Sequence, residues 1–100
     1  MTVPQLTPAQ VAADTSGARV LDVREPAEVA TGAIAGSTAI PLGQLAERTG
    51  ELDPDVPVVT VCQSGRRSQQ AAELLAAAGF TVSNTAGGMN AWTEAGLPTV

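Results

Sequence analysis

The chain has 100 residues, 44% hydrophobic and 15% charged, with a formal net charge of −5. That length suits one domain spanning 1–100 and is too short for two, and the composition is that of a globular protein rather than a disordered one. With no histidine and one cysteine, Cys62, an internal disulfide and a Cys/His metal constellation are both excluded, and the acidic balance argues against nucleic acid or an anionic membrane as partner.

No apolar stretch approaches the roughly 18 residues a membrane helix needs. The opening segment "MTVPQLTPAQ" lacks the basic start and apolar core of a signal peptide. A lone free thiol fits a reducing compartment, so the cytoplasm is the expected location.

In chain order, Thr7-Pro8 reads as an N-cap followed by proline at the first helical position, opening a short helix to about Asp14. "ARVLDV" (18–23) reads as a buried parallel strand. "REPAEVATG" opens on proline and stops on glycine, predicting a short helix near 26–31. "STAIP" (37–41) is a second strand, "LGQLAERTGEL" a short helix with Gly50 behind it, and "DPDVP" (53–57) a turn. "VPVVTVC" (56–62) has no polar alternation and is expected to be central, covered on both faces. The following helix carries Ala71, Leu74, Leu75 and Ala78 on its apolar face, with Gln69, Gln70 and Glu73 outward and Gly79 as its stop. "FTVSN" (80–84) is a fourth strand, and "GGMNAWTEAGLP" a glycine turn into a terminal helix. Alternating strands and helices predict one α/β domain with a mostly parallel sheet.

Cys62 ends the strongest strand and heads the loop "QSGRR". A free cysteine is commonly an inert core residue, so burial alone is a sufficient reading of it. The loop argues for the other reading. In open parallel sheets ligands bind beyond the carboxyl ends of the strands. Gly65 permits a tight turn that points backbone amides inward, and the free amides of the next helix aim at the same place. Such a cradle suits an anion and lowers a thiol pKa. All five positive charges are arginines, and Arg66 and Arg67 sit together here, with no acidic residue from Val56 to Ala72. Ser64 is a candidate hydrogen-bond donor to a substrate, and Ser68 reads as the helix N-cap.

Three motifs then carry a resemblance. "LDVREPAEVATGAIAGSTAIPLGQL" (21–45), "VVTVCQSGRRS" (58–68) and "GGMNAW" with "AGLP" (87–98) resemble, in order and spacing, the single-domain rhodaneses. The resemblance covers nearly the whole chain. It implies a three-layer α/β fold, with a five-stranded parallel sheet and helices on both faces, and a thiosulfate or persulfide sulfurtransferase. On this resemblance Cys62 is the sulfur-accepting cysteine. Gln63, Ser64, Gly65, Arg66 and Arg67 form the substrate-binding loop, Arg67 closing it and Arg66 at a variable position. Asp22 and Arg24, with Ser68, are structural support, and Trp92 is an apolar anchor under the last helix. No metal or other cofactor is expected. The family's usual histidine in a "GHI" segment is replaced here by Ala33, which bears on loop support more than on chemistry.

The implied partners are a small anionic sulfur donor (thiosulfate or a persulfide) and an external acceptor: cyanide, a thiol or a protein. With no second cysteine, a persulfide on Cys62 has no internal route to a disulfide. Two alternatives compete. One is a non-enzymatic sulfur-carrier or regulatory module. The other is a phosphatase or arsenate reductase, whose related loops resemble C-x5-R, whereas four residues separate Cys62 from Arg67.

Overall fold

The valine-rich segment forms the middle strand of a parallel sheet in the computed structural model, which describes residues 3–14 and 16–100. Along the chain the elements are β1 (Gln5–Leu6), α1 (Pro8–Ala13), β2 (Arg19–Asp22), α2 (Pro26–Val29), β3 (Thr38–Ala39), α3 (Leu42–Arg48), a 3-10 turn (Thr49–Glu51), β4 (Val58–Val61), α4 (Arg66–Ala77), β5 (Val82–Thr85) and α5 (Gly88–Glu94). The strand order is β1-β5-β4-β2-β3 and every pairing is parallel.

All four residues of β4 are buried, as a strand covered on both faces requires. Side chains alternate across the sheet. Val58 and Cys62 join the core formed with Leu45 of α3 and Ala71, Ala72 and Leu75 of α4. Val59 and Val61 join the opposite core, with Val11 of α1 and Met89 and Trp92 of α5. The result is a three-layer α/β architecture. Thr60, the one polar residue of β4, donates its hydroxyl to the Ser68 carbonyl at 3.0 Å, so its burial leaves no unpaired group.

One strand and two residues at α4 depart from the sequence reading. The residue pattern gave four strands; the fifth is β1, two residues long and paired only with β5 at the sheet edge. Two residues cannot display a period, so no pattern was available to read. Ala78 lies outside the core at the C-cap of α4, while Ala72 takes the buried place. Gln69 is half-buried rather than outward, because its side-chain oxygen accepts from Gln5 at 2.6 Å. Gly50 stands behind α3 as read, inside the 3-10 turn Thr49–Glu51 that continues it. The Thr7 start is a capping box, its hydroxyl accepting from Gln10 N–H while the Gln10 side chain accepts from Thr7 N–H.

From β2 the chain moves outward to β3, and from β4 it moves the other way to β5. The switch point therefore lies between β2 and β4, and in open α/β sheets ligands bind beyond the carboxyl ends of the strands at such a point. Cys62 follows β4 there, and Val23 and Arg24 follow β2. Among the described residues no helix is long and apolar enough to cross a membrane.

Candidate active site

Residue Cys62 is fully buried, 0% exposed, yet its sulfur is not in an apolar setting. Gly65 N–H donates to Sγ at 3.0 Å and the Ser68 hydroxyl donates to it at 3.3 Å. Burial acts to raise the thiol pKa. The Ser68 hydroxyl and the backbone amides of Ser68, Gly65 and Ser64 act against it and prevail, leaving the pKa below that of an ordinary cysteine. The donors are all neutral, so the thiolate is stabilised by dipoles aimed at one point rather than by a contacting cation.

This corrects the reading of Ser68. The N-cap of α4 is Gly65, with φ of +103°, and it makes no side-chain cap bond. Ser68 stands one turn into the helix, completely buried, with its hydroxyl on the sulfur. The left-handed φ at Gly65 is what turns the chain sharply enough to bring its own amide and the first helical amides to Sγ.

The loop is held from behind by α5. Met89 N–H donates to the Cys62 carbonyl at 2.8 Å, and Asn90 N–H to the Gln63 carbonyl at 3.0 Å. With these carbonyls drawn outward, the loop's amides are left facing the sulfur. The approach works only without a side chain at Gly88. A Cβ there would overlap the Cys62 carbonyl oxygen and lie 2.8 Å from the Gln63 carbonyl carbon, at a φ of +58°. Trp92, further along α5, is buried in the core and donates its indole N–H to the Pro98 carbonyl at 2.9 Å.

From the other side the loop is held by Arg24, buried to 1% exposure against Asp22 at 0%. Its guanidinium donates to both Asp22 oxygens, the Glu28 and Gly32 carbonyls, and the Gln63 side-chain oxygen at 3.3 Å. Burying a charge is costly unless it is paired and hydrogen-bonded, and here both conditions are met. Gln63 is occupied at both ends, since its amide nitrogen donates to Asn90 at 2.7 Å. Its side chain thus ties the loop to β2 and to α5. The segment at Ala33 belongs to the same support: its backbone exchanges two bonds with Val100, and neighbouring Gly32 receives Arg24.

Arg67 and Arg66 are placed differently from each other. Arg66 is exposed and forms no ion pair among the described residues, and Ser64 is exposed beside it. Arg67 is paired bidentately with Glu28, at 2.7 and 2.8 Å. The charge count along 56–72 could not show this, because the neutralising carboxylate comes from α2, 39 residues away in sequence. The Arg67 hydrogen bond holds the Glu28 carboxyl down at about 2. Its contribution to stability is therefore present above the ordinary carboxylate range and lost as pH falls towards 2; exposed by a third, the pair is worth about 1 kcal/mol or less.

A groove of about 440 Å³ between α2 and α3 shares Arg24 with this arrangement, but Cys62 does not line it. No cluster of three metal-ligating side chains occurs among the described residues.

The match to the rhodanese-like domain model runs over residues 7–95. A sulfurtransferase of Allochromatium vinosum is 40% identical over 89 residues, covering 88% of this chain and 83% of that protein. The thiosulfate sulfurtransferase GlpE of Pseudomonas aeruginosa is 38% identical over 78 residues, covering 77% and 71%. Among solved structures, a rhodanese-related protein of Thermoplasma volcanium superposes with a TM-score of 0.93 at 35% identity, covering 97% of each chain. A parallel five-stranded sheet, a cysteine cradle at its switch point and a family match over nearly the whole length agree, and this chain belongs to the rhodanese-like domain family.

Proposed function

We propose that the protein is a sulfurtransferase that takes a sulfane sulfur from thiosulfate or a persulfide and passes it to an external nucleophile through Cys62. The observation that carries this reading is the convergence of Gly65 N–H and the Ser68 hydroxyl on Sγ. In the first step the Cys62 thiolate attacks the outer sulfur of thiosulfate. The S–S bond of thiosulfate breaks and sulfite leaves with the electron pair. The resulting Cys62 persulfide carries its negative charge on the terminal sulfur, within the field of the same loop amides. In the second step cyanide or a thiolate attacks that terminal sulfur, and Cys62 departs as the thiolate the cradle stabilises. The cradle lowers the Cys62 pKa and favours the thiolate, which lessens the need for a general base.

Phosphate-ester chemistry is supported less well. It wants an acid to protonate the leaving group. The carboxyl beside the loop, Glu28, is held ionised by Arg67 and has no proton to give at neutral pH. The four-residue spacing between Cys62 and Arg67 also favours a pocket for a sulfur atom over one for a tetrahedral phosphate.

Initial rates with thiosulfate and cyanide test the two-step scheme. Double-reciprocal lines at several cyanide concentrations should be parallel, as a ping-pong reaction requires. Converging lines would mean that both substrates bind before sulfur moves. Absence of turnover alongside a persulfide that only a protein acceptor discharges would favour a carrier role instead.

A further inference from the structure

Residue Glu28 takes no part in the chemistry above, yet three parts of the site meet on it. Its carboxylate accepts from Arg67 through two bonds, its Oε1 accepts from Glu25 N–H at 3.0 Å, and its carbonyl accepts from Arg24. Glu28 is 33% exposed and Arg67 36%, so solvent and solutes reach the pair. Arg67 precedes Ser68, whose hydroxyl is on the sulfur, and its guanidinium charge interacts with the ionised Cys62. Arg66 is the other cation on the loop and is free of any ion pair among the described residues. With Cys62 ionised, the two arginines are balanced by the thiolate and Glu28, so these side-chain charges offer an incoming dianion no net attraction beyond that of the loop amides.

We propose that Glu28 is a specificity-determining residue, which by engaging Arg67 withholds its guanidinium from anionic reactants and biases Cys62 towards donors of lower charge. The inference rests on the sulfurtransferase reading for its meaning in turnover, though not for its effect on the thiol. An anion approaching Sγ must either compete with Glu28 for Arg67 or accept the field of an extra carboxylate. Neutral reactants face neither obstacle. Glu28→Gln removes the charge while keeping a side-chain oxygen for Arg67 and Glu25, so the loop support survives.

The test uses two alkylating reagents of nearly equal size, neutral iodoacetamide and anionic iodoacetate, on the full chain. Both react with the same buried thiolate, so their rate ratio cancels changes in thiol pKa and in access. Glu28→Gln should raise the iodoacetate-to-iodoacetamide ratio roughly three- to tenfold, the scale of one partly screened charge near the site. Arg67→Gln, which leaves Glu28 unpaired, should lower the ratio below that of the unmodified protein. An unchanged ratio in either variant overturns the proposal, whereas general damage would slow both reagents alike. In Glu28→Gln the KM for thiosulfate should also fall with little change in kcat. A raised ratio without any thiosulfate turnover would support the role of Glu28 while overturning the sulfurtransferase reading, so the two fail separately.

Discussion

The one side-chain hydroxyl that donates to the Cys62 sulfur among the described residues is that of Ser68. A serine early in a helix reads from sequence as a cap, because its hydroxyl commonly satisfies a free amide. Here Gly65 begins the helix one turn earlier, and the hydroxyl turns inward to the sulfur at 3.3 Å. The place of Cys62 at the carboxyl end of a buried strand was legible in sequence, since an apolar run that stops at a glycine loop has few alternatives. The direction of a single hydroxyl was not, because it depends on where the helix starts to within one residue. Ser68→Ala removes that donor and keeps the backbone amides. Because the pKa of Cys62 lies below the ordinary value, thiolate persists to lower pH than in a free cysteine. The variant should shift the midpoint of the alkylation-versus-pH curve upward and slow iodoacetamide near neutral pH by roughly two- to tenfold, the worth of one hydrogen bond. A curve superimposable on that of the unmodified protein would remove Ser68 from the site.

At the level of elements, the cradle depends on α5 lying against the cysteine loop. The "GGMN" segment reads from sequence as a turn entering a helix, and it is one. What the string does not disclose is that its two following amides, from Met89 and Asn90, hold the Cys62 and Gln63 carbonyls. That contact joins segments more than twenty residues apart, and no local periodicity reports it. The same limit hid β1, whose two residues gain their strand geometry from β5. Gly88→Ala sets a Cβ against the loop backbone and forces a left-handed φ on alanine. It should lower stability by roughly 1–3 kcal/mol, as strain at a left-handed backbone position does. Sulfur transfer should fall with it, because the loop must shift outward. Thermal unfolding and turnover measured together check this, and a variant with unchanged melting temperature and rate would contradict the role given to the α5 contact.

Across the whole molecule, the fold brings together at one end of the sheet what the sequence keeps apart: Cys62 after β4, the buried Asp22–Arg24 pair after β2, Glu28 on α2 and the amides of α5. The alternation of strands and helices was readable because each carries its own period and its own stop signals, and it led directly to a parallel α/β sheet. Charge was read less well. In sequence Arg67 is one of two adjacent loop arginines with no acidic residue from Val56 to Ala72, and the fold pairs it with Glu28. A net charge of −5 over 100 residues gives no hint of that pairing, which arises only when α2 folds over the carboxyl end of the sheet.

A sulfur carried on Cys62 is a covalent adduct, and intact-mass measurement after incubating the protein with thiosulfate detects it. The mass should rise by one sulfur atom, fall back on adding cyanide and stay unchanged in Cys62→Ser. A folded protein that gains no mass, or a Cys62→Ser variant that gains it equally, would rule out Cys62 as the sulfur carrier.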